Sequence, residues 1–136
     1  MKITTTDELI KIAEARLKDA ETLLANQRYD GAIYLCGYAV ELALKARICK
    51  TLNWPGYPST RKEFTNYASF KTHDLDVLLH LSGRESNIKL NFFTEWSVVV
   101  QWDPSTRYQP VGTADASDTR LMISATKVLL REIWKR

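Results

Sequence analysis

The sequence predicts an all-α fold, an antiparallel bundle of about five helices in one domain over residues 1–136. Three stretches carry that prediction. Ala32, Cys36, Ala39, Ala43 and Ala46 recur at steps of three and four between Tyr29 and Ala46, so they share one helix face, thin enough to let another backbone come close. Leu9, Ala13, Ala20 and Leu24 form a second helical stripe with charges opposite. Leu121, Ser124, Val128, Leu129 and Ile133 form a third, on a helix from about Ser117 to Lys135.

The first helix runs from Asp7 to about Asn26, started by Thr5 and Glu8 at capping-box spacing. Asn26, Gln27 and Arg28 make a short connection, so the second helix packs antiparallel on the first. Asp30 can cap that second helix, and Pro55, Gly56 and Pro58 end it near Leu52. Residues 53–71 are polar, aromatic and punctuated: either Thr60 to Ala68 forms a short helix or the stretch is a functional loop. Thr72 caps a third helix through Leu81, with Leu75, Leu78 and Leu79 inward and Gly83 at its stop. Asn87 to Trp102 reads as the fourth helix despite the strand propensity of Val98, Val99 and Val100, because a lone strand would have nothing to pair with. Asp103 to Ser117, with Pro104, Pro110 and Gly112, reads as a long loop.

Hydrophobic residues at 45% and charged residues at 26% are those of a folded globular chain. Nineteen Lys and Arg against sixteen acids leave a net charge of +3, too mild to demand a nucleic-acid partner. Cys36 and Cys49 lie thirteen residues apart on one helix, about 20 Å along its axis, too far to bond. The segment Met1 to Thr6 lacks the apolar core of a signal peptide, and no stretch has the ~20 apolar residues of a membrane span. A cytoplasmic location is the expectation. Five scattered glycines cradle no phosphate, no Gly-x-Ser-x-Gly occurs, and neither cysteine nor histidine has metal-ligand spacing, so no cofactor or metal is expected.

Several side chains invite chemistry. Glu41 and Lys45 are one turn apart in a run that is otherwise apolar; the residues alone favour a surface ion pair. His73 either completes the cap of the third helix, bonded to Asp74 or nearby backbone, or joins Arg107 in holding an anion. Trp96, Trp102 and Tyr108 either pack or, where a ring is exposed, stack on a base while Arg107 takes a phosphate.

Tyr29-Asp30-Gly31-Ala32 leading into Ala39-Val40-Glu41-Leu42-Ala43-Leu44-Lys45-Ala46, then Thr72-His73-Asp74-Leu75 and Arg107-Tyr108, resembles the HEPN domain family, over about residues 7 to 134. The resemblance implies a small up-and-down four-helix core in which Glu41 and Lys45 point into the cleft. Many HEPN domains are metal-independent endoribonucleases whose Arg is followed, after four to six intervening residues, by a His. There the His moves a proton at the ribose 2′-OH or leaving oxygen while the Arg steadies phosphate charge. In this chain the nearest Arg before His73 is Arg61, twelve positions away, and none lies between His73 and His80.

The motif is absent, so the chain resembles the non-catalytic HEPN proteins encoded beside a minimal nucleotidyltransferase in toxin–antitoxin-like pairs. The expectation is a homodimeric nucleotide- or RNA-binding module with Glu41, Lys45, Lys71, His73, Arg107 and Tyr108 as its contacts. Two alternatives stand beside it. One is a divergent ribonuclease toxin using His73 with Arg107 or Lys71 across the cleft; the other is a helical scaffold without a small ligand, its cleft filled by Trp96 and Tyr108. A dimer is expected because the thin second helix and the apolar last helix offer more apolar surface than one core uses.

Overall fold

In the computed structural model, which describes residues 4–58 and 67–135, the chain is all-helical. Helix α1 spans Thr6–Ala25 and starts as expected: the Glu8 N–H donates to Thr5 Oγ1 at 3.2 Å. The Thr5 hydroxyl donates back to Glu8 Oε1 at 3.1 Å, and Leu9, Ala13 and Ala20 are buried. Gln27 turns the chain with φ 62°, and α2 follows at once, over Tyr29–Leu52. It ends at Asn53 in the left-handed conformation, where the Trp54 N–H donates to the Cys49 carbonyl at 2.8 Å.

The small-residue face of α2 is the centre of the core. Ala32, Cys36, Ala39, Ala43 and Ala46 are all fully buried, with α1 and the last helix, Ala116–Trp134, packed along α2. Gly37 beside them is the closest approach: a Cβ there would lie 2.1 Å from the Trp102 ring, so only glycine admits the indole against the backbone. Both cysteines are buried and unpaired, and burial pushes the Cys36 thiol up to about 12 and Cys49 to about 11.

Several expectations are corrected. Asp30 does not cap α2: Arg28 is the N-cap residue and makes no side-chain bond, while Asp30 lies inside the first turn. Its carboxylate accepts instead from the backbone N–H groups of Gly112 at 2.7 Å and Ala114 at 2.8 Å. The cap of α3, over Leu75–Ser82, is Asp74 and not Thr72: Asp74 Oδ1 accepts from the Asp76 and Val77 N–H groups, and Thr72 Oγ1 accepts from Asp74. Leu75, Leu78 and Leu79 do face inward, and Gly83 stops the helix at φ 79°. Of the Thr60 to Ala68 stretch, read as either a short helix or a functional loop, residues 60–66 lie outside the described residues; Ala68–Phe70 is one 3-10 turn.

The expected fourth helix is two helices, α4 over Glu85–Asn91 and α5 over Phe93–Val99. They are broken at Phe92 (φ −133°, ψ 34°), whose half-buried ring packs on the core. Asn and consecutive Phe are mediocre helix formers, so the local sequence resists a break at this point only weakly. The long loop holds a 3-10 turn, Pro104–Tyr108, initiated by Asp103 accepting from the Ser105 N–H. Helix α6 spans Ala116–Trp134, capped by Asp115. Its core face is rotated from the expected stripe: Met122, Ala125, Thr126, Leu129 and Ile133 are buried, while Leu121 and Ser124 are exposed. This helix packs on α2, α5 and α1.

Contacts fix the helix directions. Gly31 meets Leu23 at one end of the α1–α2 pair, and Thr5 bridges Gly56 at the other, so those helices are antiparallel. Helices α2 and α6 run parallel, because Asp30 holds Ala114 while Arg47 donates to the Lys135 carbonyl at 3.0 Å. Between them α4 and α5 return, from Arg84 at the Glu132 carbonyl to Trp102 at Gly37. Helix α3 lies along the second half of α2, tied by Thr51 Oγ1 donating to the Ser82 carbonyl at 2.7 Å. Among the described residues no helix is long and apolar enough to cross a membrane.

Candidate functional site

The six residues picked from the sequence do not form one cluster: Glu41, Lys45 and His73 meet on α2, Arg107 and Tyr108 meet on a 3-10 turn, and Lys71 joins neither group. Glu41 is only 2% exposed, so it is not the surface pair that spacing alone favours. Its Oε2 accepts from Lys45 Nζ at 2.9 Å and from His73 Nδ1 at 2.9 Å. A buried carboxylate needs such partners to offset its lost hydration. The other oxygen, Oε1, is buried with no hydrogen-bond partner. Lys45 also sits 5.2 Å from the centre of the Tyr57 ring, whose hydroxyl donates to the Phe70 carbonyl at 2.6 Å. Burial, and then the charges nearby, push the Tyr57 phenol upward.

His73 is therefore neither a cap group nor bonded to Asp74; it reaches 32 residues back in sequence to α2. Its side chain is 64% exposed. A carboxylate can only accept, so Nδ1 carries the hydrogen in this contact and, in the neutral ring, Nε2 is left as the acceptor. Lys71 is exposed and forms no ion pair among the described residues.

Arg107 and Tyr108 meet elsewhere, on the 3-10 turn over the first turns of α2. The guanidinium lies 4.9 Å from the centre of the Tyr108 ring. Side-chain hydrogen bonds with Tyr108 and then Tyr34 raise the pKa of Arg107 further, so it stays a cation. It has no carboxylate partner among the described residues. The alternative in which His73 joins Arg107 is not what these contacts make: Glu41, which holds His73, is seven residues beyond Tyr34, about 10 Å along the helix.

Ring exposure separates the aromatics. Tyr108 is 76% exposed, whereas Trp102 is 6% exposed and tilts against Tyr34, and Trp96 is buried with its Nε1 donating to Asp76 at 3.3 Å. Trp96 and Trp102 are core residues; Tyr108 is open to a ligand. A pocket of about 400 Å³ lies beside Arg107, lined also by Asp30, Tyr34, Thr106, Gln109 and Asp118. Tyr34 and Asp118 were not singled out from the sequence. The signal for Tyr34 was available, since residues seven apart share a helix face and Tyr34 stands seven before Glu41.

Among the described residues, no three His, Cys, Asp or Glu side chains cluster as metal ligands. The HEPN domain family model matches residues 6–133. The chain belongs to the HEPN domain family. No curated protein and no solved structure matches it. HEPN domains are associated with nucleotide or RNA binding and with ribonuclease activity.

Proposed function

We propose that this HEPN domain is a non-catalytic module that binds a nucleotide or short single-stranded RNA, acts as a homodimer in the cytoplasm, and works with a minimal nucleotidyltransferase partner. The observation that carries the binding reading is the exposed Tyr108 ring held against the Arg107 guanidinium, which lines the 400 Å³ pocket and has no acid paired with it among the described residues. A base stacks on such a ring, and a phosphate takes the guanidinium. Asp30 and Asp118 in the pocket wall repel phosphate and accept from ribose hydroxyls, which favours the sugar inside and the phosphate on the rim. Titration with AMP and with a short uridine-rich oligonucleotide tests this. Tyr108→Ala is expected to weaken binding about tenfold, since base stacking is worth ~1–3 kcal/mol, and affinity falls with salt. Binding indifferent to both Tyr108→Ala and Arg107→Ala overturns the reading.

One observation favours a second reading. A His oriented through Nδ1 by a buried carboxylate, with Nε2 toward water, is an arrangement that general bases use. It fits the divergent ribonuclease, with Lys45 or Lys71 as the cation. The expected result is that the pure protein does not cut mixed RNA in chelator, because Arg107 is bonded to Tyr108 and Tyr34 and makes no contact with this histidine among the described residues. Cleavage abolished by His73→Ala and slowed by Glu41→Gln would establish the second reading in place of the first.

A further inference from the structure

The opposite end of the bundle, where α6 finishes, carries an arrangement the pocket at Arg107 does not use. Arg47 from α2 donates to the Lys135 carbonyl at 3.0 Å, and Arg84, between α3 and α4, donates through Nη2 to the Glu132 carbonyl at 2.9 Å. Each thus spends one terminal nitrogen on the last turn of α6, where unpaired carbonyls invite cations. That end of a helix offers roughly half a negative charge, against two guanidinium charges. The carboxylate of Glu132 does not supply the rest: Arg131 Nε at 3.1 Å and Lys135 Nζ at 3.7 Å already hold it. The Nε atoms of both Arg47 and Arg84 are buried with no hydrogen-bond partner.

The two arginines also feel each other. Burial, and then the like charge of Arg84, hold the pKa of Arg47 below the ordinary arginine value. Among the described residues neither forms an ion pair with an acid. The fold thus brings two half-buried guanidiniums to one helix end, with no acid paired to either among the described residues.

We propose that Arg47 and Arg84 form a clamp for a phosphomonoester, the terminal phosphate of a small ligand or of a nucleic-acid end, at the α6 C-terminus. The charge selects the class. Two guanidiniums outweigh the roughly half negative charge of the helix end, and a pair of them suits the −1.5 to −2 of a phosphomonoester at neutral pH better than the single charge of a phosphodiester. The free terminal nitrogen of each fork bonds phosphate oxygens, and the planar guanidinium suits that geometry. The clamp is independent of the Arg107 and Tyr108 reading.

Titration of the whole protein with inorganic phosphate, followed through the arginine Nε–Hε signals by NMR, tests the clamp without mutation. The Arg47 and Arg84 signals are expected to move together and saturate, while that of exposed Arg120 stays still. Arg47→Gln and Arg84→Gln, which keep a donor for the α6 carbonyls, are expected each to weaken phosphate binding about tenfold or more, with folding checked by circular dichroism. A 5′-phosphorylated oligonucleotide is expected to move the pair at lower concentration than its 5′-hydroxyl counterpart if the source is a nucleic-acid end, and equally with AMP if it is a free nucleotide. Non-saturating shifts, equal movement of Arg120, or acetate acting as well as phosphate overturn the proposal.

Discussion

Glu41 is the residue on which the interior of this HEPN domain depends most visibly. Its carboxylate is buried, and two donors converge on one oxygen. Removing one partner of a buried pair leaves the other uncompensated and costs about 3 kcal/mol. Glu41→Ala is therefore expected to lower the urea midpoint sharply, while Glu41→Leu combined with Lys45→Met recovers most of the loss; equal losses in single and double variants would contradict this account. Gly37 gives a second residue-scale prediction. A methyl group 2.1 Å from the Trp102 ring forces the indole out, so Gly37→Ala is expected to cost about 1–3 kcal/mol and to shift tryptophan fluorescence. Trp102→Leu in the same chain should relieve part of that cost.

At the scale of elements, the link between α2 and the turn before α6 hangs on one carboxylate. The N–H groups of Gly112 and then Ala114 hold Asp30 below the usual carboxylate range. A depressed folded value stabilises the tie at any pH above the unfolded value of about 3.9, and the effect is lost as pH falls through the lower folded value. The Gly112 amide signal is expected to titrate with a midpoint below 3.9 and to lose that transition in Asp30→Ala. A midpoint at or above 3.9 would mean the tie does not form.

This element also shows where reading a sequence stops. The stripe of Ala32, Cys36, Ala39, Ala43 and Ala46 was legible because helical periodicity is local, and all five are buried. Asp30 looked like a cap because nothing local reveals that its partners are 82 and 84 residues away. Likewise Glu41 reads as half of a surface pair until His73 arrives from another element. The break at Phe92 was hidden too: the helical pattern runs on through a residue whose ring packs on the core.

For the whole molecule, the proposed homodimer needs an apolar surface, and Leu121 on α6, 54% exposed, offers one. Light scattering at micromolar concentration is expected to give twice the 15.6 kDa chain mass, and Leu121→Glu a smaller species. A parent sample at 15.6 kDa would remove the dimer from the proposed function. The pocket at Arg107 and the arginine pair at Arg47 lie at opposite ends of α2, so the two proposed ligands are expected not to compete.

The parallel course of α2 and α6 sets an order of events as the chain folds. Helices α1 and α2 are joined by a turn of a few residues, so their pairing closes a short loop and can form early. Helix α6 belongs beside the same α2, yet it can start at the Asp30 end only after the intervening chain has travelled down the bundle and back. Closing a loop of that length is entropically slow to reward. Until α6 docks, the alanine face of α2 is covered on the α1 side alone and stays wet on the other. Substitutions at Ala13 or Ala20 should therefore slow refolding, and substitutions at Leu129 or Ile133 should chiefly quicken unfolding.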